Sequence, residues 1–218
     1  MTGSPRVALL HTGAVVIAPV GELVKRDLPD VTAINYLDDR IVADLSDAER
    51  AESVPERILD LARAAKEAGA SALMLTCSSI SELAAPTAEA VGIPVLRIDE
   101  AMADEAVATG QRITVLATLP TTLRPTTGLI RERAALAGRS PEIEGVVIEG
   151  AFAAVAGGDR PEHDRLVAAA IAEAAERSDV VVLAQASMAS AATGDAGVPV
   201  LSSLASGVAR LRDLVAAL

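Results

Sequence analysis

The sequence predicts an α/β fold of two similar parallel-sheet halves, related by a pseudo-two-fold axis with an active-site cleft between them. Three observations carry that expectation. Short, continuous apolar runs alternate with stretches whose apolar residues recur every three or four positions, as when parallel strands are interleaved with helices. Hydrophobic residues make up 51% of the 218, yet there is one Phe, one Tyr and no Trp. The core must therefore be filled by Ala, Val, Leu and Ile, which suits closely packed helices and strands. Lastly, three segments recur in the same order at nearly one spacing. Arg6-Val-Ala-Leu-Leu-His-Thr12 matches Arg112-Ile-Thr-Val-Leu-Ala-Thr118, an offset of 106 from Thr12 to Thr118. Ala72-Leu-Met-Leu-Thr-Cys77 lines up with Val180-Val-Val-Leu-Ala-Gln185 at an offset of 108, and Gly92-Ile-Pro-Val-Leu96 with Gly197-Val-Pro-Val-Leu201 at 105.

Taken in chain order, the predicted strands are Arg6–His11, Val31–Tyr36, Ala72–Leu75, Val95–Ile98, Ile113–Ala117, Gly145–Ile148, Val180–Leu183 and Val198–Leu201. The clearest helices are Pro55–Ala68, Ser79–Ala90, Thr126–Ala137 and Pro161–Ala175. The last opens with Pro161, Glu162 and Asp164, residues that suit a first helical turn. The halves are expected to be 1–98 with a C-terminal helix at 205–218, and 99–204. No low-complexity linker divides them, and the crossover falls near Asp99–Gly110.

A net charge of −11 and the lack of a basic stripe or aromatic platform argue against nucleic acid as a partner. No apolar run approaches bilayer length, so no membrane partner is expected. The apolar stretch within Met1–Gly21 is broken by His11-Thr12-Gly13 and reads as a buried first strand and its turn. The single cysteine, Cys77, cannot form an internal disulfide, and the cytoplasm is the default compartment.

Ligands of parallel α/β units bind beyond the carboxyl ends of the strands. Those ends carry His11 and Thr12; Thr76, Cys77, Ser78 and Ser79; Thr118, Thr121 and Thr122; and Gln185, Ala186 and Ser187. Cys77 is the candidate catalytic residue. It follows an apolar strand and precedes a helix that Ser78 or Ser79 could cap, and such a position favours the reactive thiolate. The alternative is a small buried hydrophobe. The hydroxyls and turn N–H groups could hold a carboxylate, although each Ser or Thr taken singly reads as a turn residue. His11 could be an acid, a base or a structural donor. His163, in a charged helix start, reads as exposed. Arg40 and Arg97 could pair with an acidic substrate or form ordinary salt bridges. Two His and one Cys far apart give no metal-ligand spacing, and no phosphate-loop, dinucleotide or nucleophile-elbow motif is present.

The duplicated halves, the strand–Thr-Cys-Ser-Ser–helix segment at 76–79, Val115-Leu-Ala-Thr118 with its following threonines, and Val180–Met188 together resemble the aspartate/glutamate/hydantoin racemase family. Its relatives include maleate cis–trans isomerases and arylmalonate decarboxylases, and the resemblance covers nearly the whole chain. It implies two facing α/β halves, with a cysteine from each flanking the substrate. One thiolate removes the proton alpha to a carboxylate and the other thiol returns one on the opposite face, without metal or pyridoxal cofactor. A homodimer is the common assembly. Cys77 falls on the first family cysteine. Gln185, in Gln185-Ala-Ser-Met188, stands at the second, and an amide is no general base at neutral pH.

Three readings follow from that departure. Ser187, His11 or water could serve the second face of a racemase or epimerase. A single thiol could instead protonate an enolate formed by decarboxylation, or add to a double bond as in cis–trans isomerisation; the decarboxylases also keep one cysteine, though in the other half. Or the protein binds a small ligand without chemistry. The first reading, a cofactor-independent isomerase acting on a small carboxylate, is the expectation carried forward.

Overall fold

The computed structural model describes residues 4–218; residues 1–3, the start of the segment read as the first strand, lie outside it. The chain divides into two compact units, Met1–Ile98 with Leu204–Leu218, and Asp99–Ser203.

In the first unit, strands β1 (Arg6–His11), β2 (Thr32–Leu37), β3 (Ala72–Leu75) and β4 (Val95–Arg97) form one parallel sheet in the order β2-β1-β3-β4. Its helices are α1 (Ile17–Asp27), the short α2 (Ile41–Asp44) and α3 (Ala48–Ala51), then α4 (Val54–Glu67) and α5 (Ala84–Val91). The second unit opens with α6 (Glu100–Thr109) and continues through β5 (Arg112–Ala117), α7 (Pro120–Leu136), β6 (Glu142–Val147), α8 (Ala151–Ala156), α9 (Arg160–Ala175), β7 (Val180–Leu183) and β8 (Val200–Ser202). Its sheet has the order β6-β5-β7-β8, again all parallel. The last helix, α10 (Ser203–Ala216), belongs to the first unit from Leu204 onward. Both sheets are the parallel α/β units that the alternating pattern predicts.

The repeat is visible hydrogen bond by hydrogen bond. Leu73 N–H donates to the Pro94 carbonyl at 2.9 Å, and Val181 N–H to that of Pro199 at 3.0 Å. Thr76 N–H donates to Leu10, and Ala184 N–H to Leu116. Gly92 (φ 68°) and Gly197 (φ 76°) both adopt the left-handed backbone that glycine tolerates best, and each turns the chain into the proline before an edge strand. Central strands β3 and β7 are buried at every residue, which is why they read as unbroken apolar runs.

Four sequence expectations need correction. The helix expected from Thr126 starts at Pro120, because Leu119 is extended and proline is pre-organised for a first helical position; Pro125 is carried inside it. The segment after Cys77 is a 3₁₀ helix over Ser78–Leu83 before α5 begins at Ala84. Strand β6 starts at Glu142, three residues before the apolar run, since one-sided burial at an edge lets Glu142 and Glu144 face outward. His163 is completely buried.

Candidate active site

At the carboxyl end of the first sheet, the register pairs Leu10 of β1 with Leu75 of β3, and two steps further on the chain reaches Thr12 and Cys77. Thr76 Oγ donates to the Leu10 carbonyl at 2.9 Å and lies 2.8 Å from His11 Nδ1. The other ring nitrogen, Nε2, lies 2.9 Å from Asn35 Oδ1 on β2. His11 is fully buried, and both nitrogens are engaged within the protein. Burial lowers its pKa below the ordinary value, and the hydrogen bond with Asn35 opposes that shift in part.

Cys77 is half-buried with an extended backbone (φ −135°, ψ 123°), and it occupies the N-cap position of the 3₁₀ helix. No side chain caps that helix, so neither Ser78 nor Ser79 takes the expected capping role. The Cys77 carbonyl instead accepts from Ile80 N–H and Ser81 Oγ, both at 3.2 Å, which closes the turn and fixes where the thiol leaves the sheet. Thr12, Thr76 and Ser78 are buried, and Ser79 is half-buried.

The second unit repeats this construction. Leu116 pairs with Leu183, and two steps on lie Thr118 and Gln185. Gln185 is extended (φ −128°, ψ 137°) and precedes a 3₁₀ helix over Ala186–Ala191. Its carbonyl accepts from Met188 N–H at 3.0 Å, as that of Cys77 does from Ile80. Gln185 is therefore the structural counterpart of Cys77. Its Oε1 accepts from Thr118 N–H at 2.6 Å and from Thr118 Oγ at 3.0 Å. Thr121 and Thr122 belong to the first turn of α7 rather than to a loop, and Gln185, Ala186 and Ser187 are all half-buried.

Sequence reasoning missed three supporting groups. Asn35, from an edge strand, completes the His11 pair. Arg57 of α4 holds Asp44 at 2.6 Å and pairs with Asp38, fixing the chain as it leaves β2. The Arg57 guanidinium keeps the buried Asp44 carboxyl below its usual range. His163 Nδ1 lies 2.8 Å from Asp164 Oδ1, which also accepts from Ser190 Oγ at 3.0 Å, tying α9 to the 3₁₀ turn after Gln185. Its Nε2 is buried without a protein partner. The signal for this last group was present. His163, Val167, Ile171 and Ala174 follow helical spacing, and all four are buried. Among the described residues no group of three His, Cys, Asp or Glu could hold a metal ion, and no helix is long and apolar enough to cross a membrane.

The model of the Asp/Glu/Hydantoin racemase family matches residues 10–211, nearly the whole chain and both turns. The chain belongs to the Asp/Glu/hydantoin racemase family. That membership makes it an enzyme of the racemase and isomerase class. Among solved structures, it resembles a glutamate racemase isoform from Bacillus anthracis (16% identity, 99% of this chain and 83% of that one, TM-score 0.76). It also resembles an aspartate racemase homologue from Pyrococcus horikoshii OT3 (14%, 97% and 99%, TM-score 0.72) and an arylmalonate decarboxylase (22%, 95% and 92%, TM-score 0.58). At these identities the likeness is one of fold. No curated protein matches the sequence.

Proposed function

We propose that this racemase-family enzyme acts without a cofactor on a small carboxylate in the cytoplasm, with Cys77 as the reacting thiol. One observation carries the reading. The only thiol of the chain is half-exposed at the turn leaving a central strand, where its counterpart in the other half is Gln185. The Cys77 thiolate takes the proton alpha to the carboxylate. The C–H electron pair passes into the carboxylate to give an enediolate, and the S–H bond then returns a proton to the same carbon. Turn hydroxyls and N–H groups stabilise the added negative charge. With a single thiol as both base and acid, proton exchange runs ahead of inversion. The reduced cytoplasm suits a catalytic thiol in a chain with no second cysteine.

The lone thiol also favours a second reading, decarboxylation. There the C–CO₂⁻ bond breaks, its electron pair enters the remaining carboxylate, carbon dioxide leaves, and the Cys77 S–H protonates the carbon.

The test is a panel of small carboxylic acids incubated in deuterated water. Loss of the α-proton signal and carbon dioxide release are followed for wild type and Cys77→Ser. Exchange that falls by about 100-fold or more in Cys77→Ser supports the first reading, in the range that general acid–base catalysis supplies. Gas release with the same dependence supports the second. Equal rates in both proteins remove Cys77 from the chemistry, and no reaction across the panel rejects small carboxylates as the substrate class.

A further inference from the structure

We infer that Thr118 is a positioning residue. It locks the Gln185 amide so that this turn presents two N–H donors and no acceptor, a clasp for an anionic carboxylate or enediolate oxygen. The inference rests on the reading of these turns as a carboxylate site.

The orientation of the amide is chemically determined. A backbone N–H can only donate, so the atom 2.6 Å from Thr118 N must be the amide oxygen and not its nitrogen. The Thr118 hydroxyl adds a second bond at 3.0 Å, and the two donors occupy both lone pairs of Oε1. Thr118 is itself 4% exposed, with its N–H and Oγ–H both directed to Gln185, so it acts on a ligand through the amide. Gln185 is half-buried, and among the described residues its side chain bonds only through Oε1. Nε2 is not one of the fully buried polar atoms that lack a partner, so it is open to solvent or to a ligand.

A side chain in this state can meet only an acceptor. A neutral amide or hydroxyl can offer one, but an ionised carboxylate oxygen makes such a bond roughly twice as strong. The same arrangement bars proton traffic at position 185, because its oxygen is already saturated and its nitrogen is not basic. At equivalent backbone positions of the two repeats, residue 77 is a thiol that can carry a proton and residue 185 is an amide whose nitrogen can only donate hydrogen bonds.

The experiment follows the side-chain N–H₂ resonances of Gln185 by ¹⁵N-edited NMR of the full chain, titrated with malonate and, separately, with neutral malonamide. Malonate should shift this pair saturably, and malonamide should not. Thr118→Val, which keeps the backbone bond and loses the hydroxyl one, should move the two resonances toward those of a solvent-exposed glutamine and weaken malonate by about three- to tenfold, the effect of losing one hydrogen bond. Thr118→Ser should restore both. Gln185→Glu should weaken malonate by at least about tenfold through like-charge repulsion. Malonate that binds without moving the Gln185 pair, that binds Gln185→Glu as tightly as wild type, or that does not bind at all overturns the inference. Proton exchange by wild type, followed beside the titration, separates the two claims. Intact malonate shifts without any proton exchange by wild type would reject the catalytic reading alone, and exchange with a silent Gln185 pair would reject this inference alone.

Discussion

At the scale of single residues, the polar groups at the strand ends divide into those turned toward one another and those left to act on a ligand. His11 belongs to the first kind. Its burial favours the neutral ring, so between the ordinary histidine value of about 6.5 and the lower folded value, the unfolded chain binds a proton that the folded chain does not. Stability should therefore fall as pH drops below about 6.5. Urea midpoints of wild type and His11→Asn at pH 7.5 and 5.5 check this, and the variant should show the smaller drop. Both of these roles hinge on partners remote in sequence: Asn35 lies 24 positions from His11, and Gln185 lies 67 from Thr118. A list of polar residues at strand ends was legible beforehand; which of them already satisfy one another was not.

Elements pose a different question, since their boundaries depend on close approach and on charge at their ends. A β-carbon on Gly207 of α10 would collide with the Ile98 carbonyl oxygen and meet its Cγ1 at 2.6 Å. Gly207→Ala should cost about 1–3 kcal/mol as overpacking, measured by chemical denaturation. In the second unit, Asp179 accepts from the Arg112 guanidinium at 2.7 Å and from the backbone N–H groups of Gln111 and Arg112, joining the starts of β5 and β7. The Arg112 side chain and these amides push its carboxyl down to about 2. A lowered carboxyl pKa stabilises fully above the ordinary value of about 3.9, and that stabilisation is lost as pH falls toward 2. Asp179→Asn should flatten the loss of stability between pH 4 and 2, read by circular dichroism. Strands buried on both faces were legible to the residue because their apolar runs have sharp ends; Ala72–Leu75 and Val180–Leu183 begin and end as expected. Edge strand β6 was not, because its exposed face carries glutamates.

For the whole molecule, each unit has its own four-stranded sheet and its own buried clusters. One groups Ala8, Leu10, Leu73 and Leu75 with α4 and α5; another groups Val115, Val180 and Val182 with α6 and α7. The second unit, Asp99–Ser203, is one continuous stretch of chain. Expressed alone, it should fold to a helical and strand-containing state with a cooperative urea transition; a gradual, non-cooperative loss of signal would show that it depends on the remainder. By itself the sequence determined the class of fold, the order of most elements, the internal repeat and the correspondence of positions 77 and 185, since these follow from apolar periodicity and local turn chemistry. The tertiary structure alone decided that Asn35 completes the His11 pair, that Arg57 holds Asp38 and Asp44, and that Thr118 is bound to Gln185. Those outcomes rest on hydrogen bonds and packing across a few ångströms between residues far apart in the chain, a distance that no local pattern encodes.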